Sequence, residues 1–286
     1  MIVITAASGN LGHLVLEDLL GRGVPAAEIR AIVRDQAKLA DYAERGVEVV
    51  QGDYTDQESL VAGLQGADKL LLISSTDSND ERIKHHLNAI AAAKQAGVKH
   101  LAYTSIVHAD DNAIAFSWVH KETEEAIRQS GIPFTFLRNN WYFENATALI
   151  DTALEHGAII GAAGEGRIGY AARADYAAAA AAVLSSGGHE DTVYELSGDT
   201  AWSFAEFAAE VSTQSGRHVP YHAVTGEEYA AMLSAAGLPD PLPHVMAGID
   251  ASIAAGELAL TTGDLSRLAG RPATPVADAI AAALAG

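Results

Sequence analysis

The chain has 286 residues, 49% of them apolar, with 37 acidic against 18 basic side chains and a formal charge of −19. That is enough apolar side chain for one large α/β domain or for a nucleotide-binding domain with a smaller lobe, while the charge argues against nucleic acid or anionic membranes as partners, because nothing here would release their counterions. The absence of cysteine excludes disulfides, thiolate catalysis and zinc–thiolate sites. No run approaches about 20 apolar residues, and the N-terminal segment lacks a basic leader and a small-residue cleavage site, so a cytoplasmic chain is expected.

Short apolar strands alternate with helical patterns through the first half. MIVIT (1–5) leads to a helix from about Gly9 to Leu20, and AIVR (31–34) leads to QAKLADYAERG. VEVVQ (47–51) leads to QESLVAGLQG, KLLLIS (69–74) to ERIKHHLNAIAAAKQAG, and HLAYTS (100–105) to a helix from about Phe116 to Gln129, before PFTFL (133–137). Gly46, Gly66, Gly97 and Gly131 fit helix stops. Such alternation predicts a Rossmann-type α/β fold, a doubly wound parallel sheet with right-handed crossovers, whose ligands bind beyond the carboxyl ends of the strands. After residue 138 the pattern loosens. Residues 1–138 are expected to form the Rossmann ligand-binding domain and 139–286 a smaller, mainly helical substrate lobe. Residues of about 170–197 are expected to return to the sheet, with TVYEL (192–196) as a strand.

The stretch TAASGNLGH (5–13) occupies the place of a dinucleotide-binding loop, first strand into first helix, with Ala6 where such loops open on glycine. Gly9 and Gly12 can still let the backbone approach a pyrophosphate and let the helix pack closely, and the helix N-terminus supplies partial positive charge. If residue 6 needs a left-handed backbone, alanine costs roughly 1–2 kcal/mol; otherwise it costs almost nothing. The second strand ends in Arg34 rather than in an acid, which suits a 2′-phosphate and favours NADP(H) over NAD, with Lys38 nearby and Asp35 acting against it. A second match, Gly164-x-Gly166-x-x-Gly169, is followed by YAARAD before any helix can begin. It reads as a turn between two extended segments.

Taken together, TAASGNLGH, AIVRDQAKL, GDYTD, KLLLISS, AGVKHLAYTS, IPFTFLRNNWYFEN, ARADYAAAAAAVL and VYELSGDTAWSF resemble the NmrA-like atypical short-chain dehydrogenases, over essentially the whole chain and in order. Within that family the resemblance is closest to bacterial NAD(P)H:quinone oxidoreductases of the quinone-oxidoreductase-2 type, with the triphenylmethane reductases as cousins. The resemblance implies a Rossmann domain with a C-terminal substrate lobe. It implies that Thr5 and Ala6 lead into a loop whose Ser8, Gly9, Asn10 and Leu11 face the pyrophosphate, and that Arg34 meets the adenosine phosphate. Ser74 and Ser75 would border the nicotinamide half, Asn139, Trp141 and Tyr142 the junction of nicotinamide and substrate, and Arg173 would close the cleft. Trp141, Tyr142 and Phe143 fit plain lobe packing equally well.

Ordinary short-chain dehydrogenases protonate an alkoxide with Tyr-x-x-x-Lys. No tyrosine here has a lysine four residues on, and the corresponding place reads FSWVH, Phe116 to His120. Ser105 matches the usual accessory serine without its partners. Reducing a quinone or a cationic dye needs little proton assistance, so the missing acid agrees with the quinone-reductase resemblance. His120 is expected either to orient a carbonyl or protonate a hydroquinone anion, or to be a helix histidine capped by Glu124. His85 and His86 are adjacent on one helix and cannot share a ligand face, and no metal site is expected. The expected acceptor is a quinone-like aromatic small molecule. The alternatives are another activated acceptor (arylmethane dye, alkene or aromatic polyketide) and a non-catalytic NADP-binding redox sensor; a homodimer is left open.

Overall fold

In the computed structural model, which describes residues 1–285, strand and helix alternate through the first half. The order is β1 (Ile2–Ile4), α1 (Asn10–Gly21), β2 (Ile29–Val33), α2 (Ala40–Glu44), β3 (Glu48–Gln51), α3 (Gln57–Leu64), β4 (Lys69–Leu72), α4 (Asn79–Ala96), β5 (His100–Ile106), α5 (Ser117–Ser130) and β6 (Phe134–Asn139). The strands are apolar runs rather than alternating ones, because helices cover both faces of a parallel sheet; all seven residues of β5 are buried. Gly97 and Gly131 end α4 and α5 in the left-handed conformation, where a residue without Cβ bears no penalty. The helix expected over QAKLADYAERG is instead a 3-10 turn (Gln36–Leu39) followed by α2, since the Asp35 side chain accepts from Ala37 N and starts a tight turn there.

The second half continues with α6 (Phe143–Thr147), α7 (Ile150–His156), β7 (Ile159–Gly161), β8 (Arg167–Ile168), α8 (Arg173–Ser185), β9 (Thr192–Leu196), β10 (Trp202–Ser203) and α9 (Phe204–Ser215). It closes with β11 (Tyr221–Ala223), α10 (Gly226–Ala235), α11 (Leu242–Ala254), α12 (Asp264–Ala269) and α13 (Val276–Leu284). The central sheet has the order β3-β2-β1-β4-β5-β6-β9, all parallel, so TVYEL joins it beside β6. The lobe carries two small ribbons besides its helices, β7 with β11 and β8 with β10. Pieces of two or three residues give no periodicity, and only pairing across the lobe, such as Trp202 opposite Ile168, makes them strands.

One core lies on the α1/α8 face of the sheet, a second on the α3/α4/α5 face, and a third inside the lobe. Ala177 to Ala182 are all buried: the small side chains let α8 lie close against α1. The lobe's glycines serve contact rather than cofactor. The turn between β7 and β8 contains Gly164 and Gly166, and side chains at Gly166 and Gly169 would collide with the carbonyls of Ile253 and Leu260. The strand order reverses between β1 and β4, and at such a switch point the two loops diverge and leave a crevice.

Candidate active site

A cleft of about 750 Å³ lies along the carboxyl ends of the strands, a volume suited to a cofactor with a small acceptor. The site residues expected from the sequence line it: Thr5, Ala6, Ser8, Gly9, Asn10, Leu11, Arg34, Ser74, Ser75, Ser105, His120, Asn139, Trp141, Tyr142 and Arg173. These come from five different strand ends, the first turn of α5 and the start of α8, which only the parallel sheet brings to one edge.

The loop after β1 is fastened on both sides. Thr5 Oγ1 donates to Leu71 O at 3.0 Å and accepts from Ile73 N at 3.2 Å, tying the strand to β4 at the switch point, and Tyr54 OH lies 2.6 Å from the same oxygen. Ala6 has φ 49°, so the turn does use the left-handed backbone, and Gly9 N closes it by donating to Ala6 O at 3.0 Å. A Cβ on Gly12 would stand 2.7 Å from Ala6 O and from Ala7 Cα. Glycine there is what allows α1 to press its first turn against the loop. The N-cap of α1 is Gly9, no side chain caps the helix, and its first turn holds no acid. Its free N–H groups and dipole therefore face the cleft without a protein anion to neutralise them, which fits a pyrophosphate.

At the outer end Arg34 follows β2, exposed, and makes no ion pair or side-chain hydrogen bond among the described residues. Asp35, its neighbour, has its carboxylate turned back onto Ala37 N at 3.1 Å. Lys38 and Asp53 complete this end; backbone and side-chain hydrogen bonds from Thr55, with Arg34 among the nearby charges, hold the Asp53 carboxyl below its usual range. A cation with spare donors fits a 2′-phosphate.

At the inner end Ser74 N donates to Thr104 Oγ1 at 2.9 Å and Ser75 N to His86 Nε2 at 3.0 Å, so both serines are held in the loop just beyond β4. Asn139 donates from Nδ2 to Tyr142 OH at 3.1 Å, while its buried Oδ1 has no partner. An orphaned acceptor costs about 1–3 kcal/mol in a closed interior, and here it would satisfy a carboxamide N–H. Arg173 lies with its guanidinium 5.2 Å from the centre of the Tyr142 ring, and that ring meets Tyr176 edge-on at 5.2 Å. Uncapped helix, free cation and free amide oxygen lie along one cleft, so the residues present fit a phosphorylated dinucleotide with a nicotinamide carboxamide.

Ser105 Oγ donates to Glu124 Oε1 at 2.6 Å, and that carboxylate is clamped by Arg138 through Nε at 2.9 Å and Nη2 at 2.7 Å. Arg138 also reaches Glu195 and Asp110. Burial opposes its charge, yet these carboxylates more than offset it and hold the guanidinium above its ordinary range. Glu124 is thus engaged by Ser105 and Arg138, and His120 finds other partners. Its Nδ1 lies 2.9 Å from Tyr103 OH and its Nε2 3.1 Å from Arg82 Nη2. Burial, followed by the Arg82 charge, pushes the imidazole well below its ordinary value.

Arg82 and Tyr103 were not found by sequence reasoning, since neither belongs to a local motif. One signal was available for Arg82. It closes the first turn of α4 behind Asp80 and Glu81, and a helix N-terminus disfavours a cation; a residue so placed asks for another reason.

The NAD(P)H-binding family model matches residues 6–187. Quinone oxidoreductase 2 of Escherichia coli is 49% identical over 280 residues, covering 98% of this chain and 97% of that protein. A solved structure of an NADPH-dependent quinone oxidoreductase from E. coli complexed with NADPH superposes with a TM-score of 0.96 at 48% identity, over 99% of this chain and 100% of that one. The Citrobacter sp. triphenylmethane reductase complexed with NADP(H) gives 0.94 at 40% identity, with the same coverage. A family model spanning more than half the chain, a relative nearly half identical along almost all of it, and a cleft whose donors suit a dinucleotide lead to one conclusion: the chain belongs to the NAD(P)H-binding family.

Proposed function

We propose that the protein is an NADPH-dependent quinone oxidoreductase, passing hydride to a quinone-like aromatic acceptor without a Tyr-x-x-x-Lys pair. The observation that carries this reading is the single cleft running from the free Arg34, past the uncapped N-terminus of α1, to an end walled by Phe116, Trp141 and Tyr142. Residues 1–138 would hold most of the cofactor, with Asn139 and Arg173 reaching it from the lobe, and 139–286 would supply the acceptor's walls opposite Phe116, in a cytoplasmic protein; no helix among the described residues is long and apolar enough to cross a membrane.

Bound NADPH supplies the hydride. The chain's part is to hold and orient: α1 and Ser8 to Leu11 fix the pyrophosphate, Arg34 the 2′-phosphate, and Asn139 Oδ1 the carboxamide, so that one nicotinamide face is presented to the acceptor. Placement and exclusion of water then supply the catalysis. Aromatic side chains offer stacking faces that suit a flat ring. The 48–49% relatives named for quinone reduction and the missing acid point the same way. The test is NADPH oxidation by the purified chain against a panel of benzoquinones and naphthoquinones, with an arylmethane dye beside them. Quinone-dependent turnover supports the reading. Turnover with the dye alone replaces the acceptor, and NADPH binding without turnover leaves a sensor.

A further inference from the structure

We propose that Arg82 is a catalytic residue of this site: its guanidinium takes up the negative charge that forms on the quinone oxygen, and His120 is the positioning residue that aims it. The proposal rests on the quinone reading above.

Arginine donates five N–H bonds and accepts none. Arg82 uses Nη2 twice, toward Ser74 Oγ at 2.9 Å and His120 Nε2 at 3.1 Å. Its Nε is buried without a partner, and Nη1 makes no hydrogen bond among the described residues. The residue lines the cleft, and its guanidinium lies 5.7 Å from the centre of the Phe116 ring, where ordinary short-chain dehydrogenases are expected to hold their acid. No carboxylate pairs with it among the described residues. Asp77, the acid whose charge reaches it, is itself engaged by Ser75 Oγ at 2.9 Å. A part-buried cation with spare donors and no counter-ion, in a pocket for a flat acceptor, is suited to an anion that exists only during the reaction.

The same geometry fixes the state of His120. Because Arg82 can only donate, Nε2 must accept, so the imidazole proton sits on Nδ1 and is donated to Tyr103 OH. His86 is oriented by the same logic. Its Nε2 accepts from Ser75 N and its Nδ1 proton goes to Thr123 Oγ1 at 2.8 Å. A protonated His120 would set a second cation 3.1 Å from Arg82. The lone pair of His120 is therefore committed to holding the guanidinium, and no proton is available from it for the acceptor.

The chemistry balances without a protein acid. The quinone receives hydride from NADPH, two electrons and one proton's worth of hydrogen, and becomes the hydroquinone monoanion, while the nicotinamide is oxidised by two electrons. Arg82 stabilises that anion as it forms, and solvent water supplies the second proton. The same charge disfavours a cationic acceptor in the identical position, so Arg82 also sets preference between a neutral quinone and a cationic dye.

The experiment uses the full chain, with Arg82→Gln, Arg82→Lys, His120→Ala and His120→Gln. The readouts are thermal unfolding, NADPH affinity by calorimetry, kcat with 1,4-benzoquinone, and competition by 4-nitrophenol on either side of its ionisation. Arg82→Gln should leave NADPH affinity within about threefold and lower kcat by about a hundredfold, with Arg82→Lys restoring at least tenfold of that loss. Wild type should bind the nitrophenolate better than the nitrophenol, and Arg82→Gln should abolish that preference. His120→Ala should lower kcat about tenfold, and His120→Gln, whose amide oxygen can still accept from Arg82, should recover it, which a proton-transfer role would forbid. An Arg82→Gln enzyme within threefold of wild type, or an unchanged phenolate preference, overturns the proposal. A wild-type chain that binds NADPH but reduces no quinone defeats the functional reading itself; that result is separate, because the unsubstituted protein is then already inactive.

Discussion

Ala6 holds φ 49° in a turn closed by Gly9 N on its own carbonyl, a conformation that costs an alanine about 1–2 kcal/mol. Glycine would relieve that strain and return part of it, about 0.5–1 kcal/mol, through the freer unfolded chain. Ala6→Gly is therefore expected to gain roughly 0.5–1 kcal/mol, seen as a higher Tm, as NADPH binding tightened up to about fivefold, or as both. No change in either would mean that the loop bears no strain. Arg34 stands free at the outer end of the cleft while Asp35 is spent on its own turn. Arg34→Ala should weaken NADPH by about 10- to 100-fold, the worth of a charge-assisted contact, and NADH by less than about threefold. Calorimetry with both cofactors checks this, and equal losses would remove the preference for the 2′-phosphate. Arg34 and the loop were legible in the sequence because each follows directly on a strand; φ at residue 6 was not, since the same letters permit either sign.

At the scale of elements, α1 does its work by where its first turn lies. The contact is set by Gly12, whose missing Cβ would fall 2.7 Å from backbone atoms of Ala6 and Ala7. Backbone cannot swing aside as a side chain can. Gly12→Ala should push α1 away from the β1 loop, cost about 1–3 kcal/mol as overpacking does, and weaken NADPH at least tenfold as the N–H groups leave the pyrophosphate. Thermal unfolding and calorimetry on the same sample separate the two effects; full affinity in a destabilised variant would show that the helix end is not the anion site. The strand–helix alternation and the glycine stops were readable because they depend on neighbours a few residues away. The ribbons β7/β11 and β8/β10 were not, because strands this short exist only through partners such as Ile168 opposite Trp202.

The whole molecule buries imidazoles in the neutral form, and this gives it an acid limit. Burial, then the charges of Arg82 and His85, lowers His86 to about 3 from its ordinary 6.5; burial also lowers His120, His100 and His189. Below pH 6.5 the unfolded chain takes up protons that the folded chain refuses, so stability is full above that pH and falls as pH drops from 6.5 toward 3. For His86 alone the loss at pH 5 is about 2 kcal/mol. Denaturant unfolding at pH 7.5 and pH 5 should show at least that difference, and His86→Gln should remove its share; equal stabilities at the two pH values would refute the burial argument. The sequence by itself determined the parallel sheet, the loop TAASGNLGH, Arg34 and the absence of the usual acid, because periodicity, turn residues and spacing are local and survive without coordinates. Only the tertiary structure decided that Arg82, 38 positions before His120, takes its lone pair, and that Ser105 and Glu124 are bound into the Arg138 network. A hydrogen bond between separate helices is set by how the sheet packs them, and no short stretch of chain encodes it.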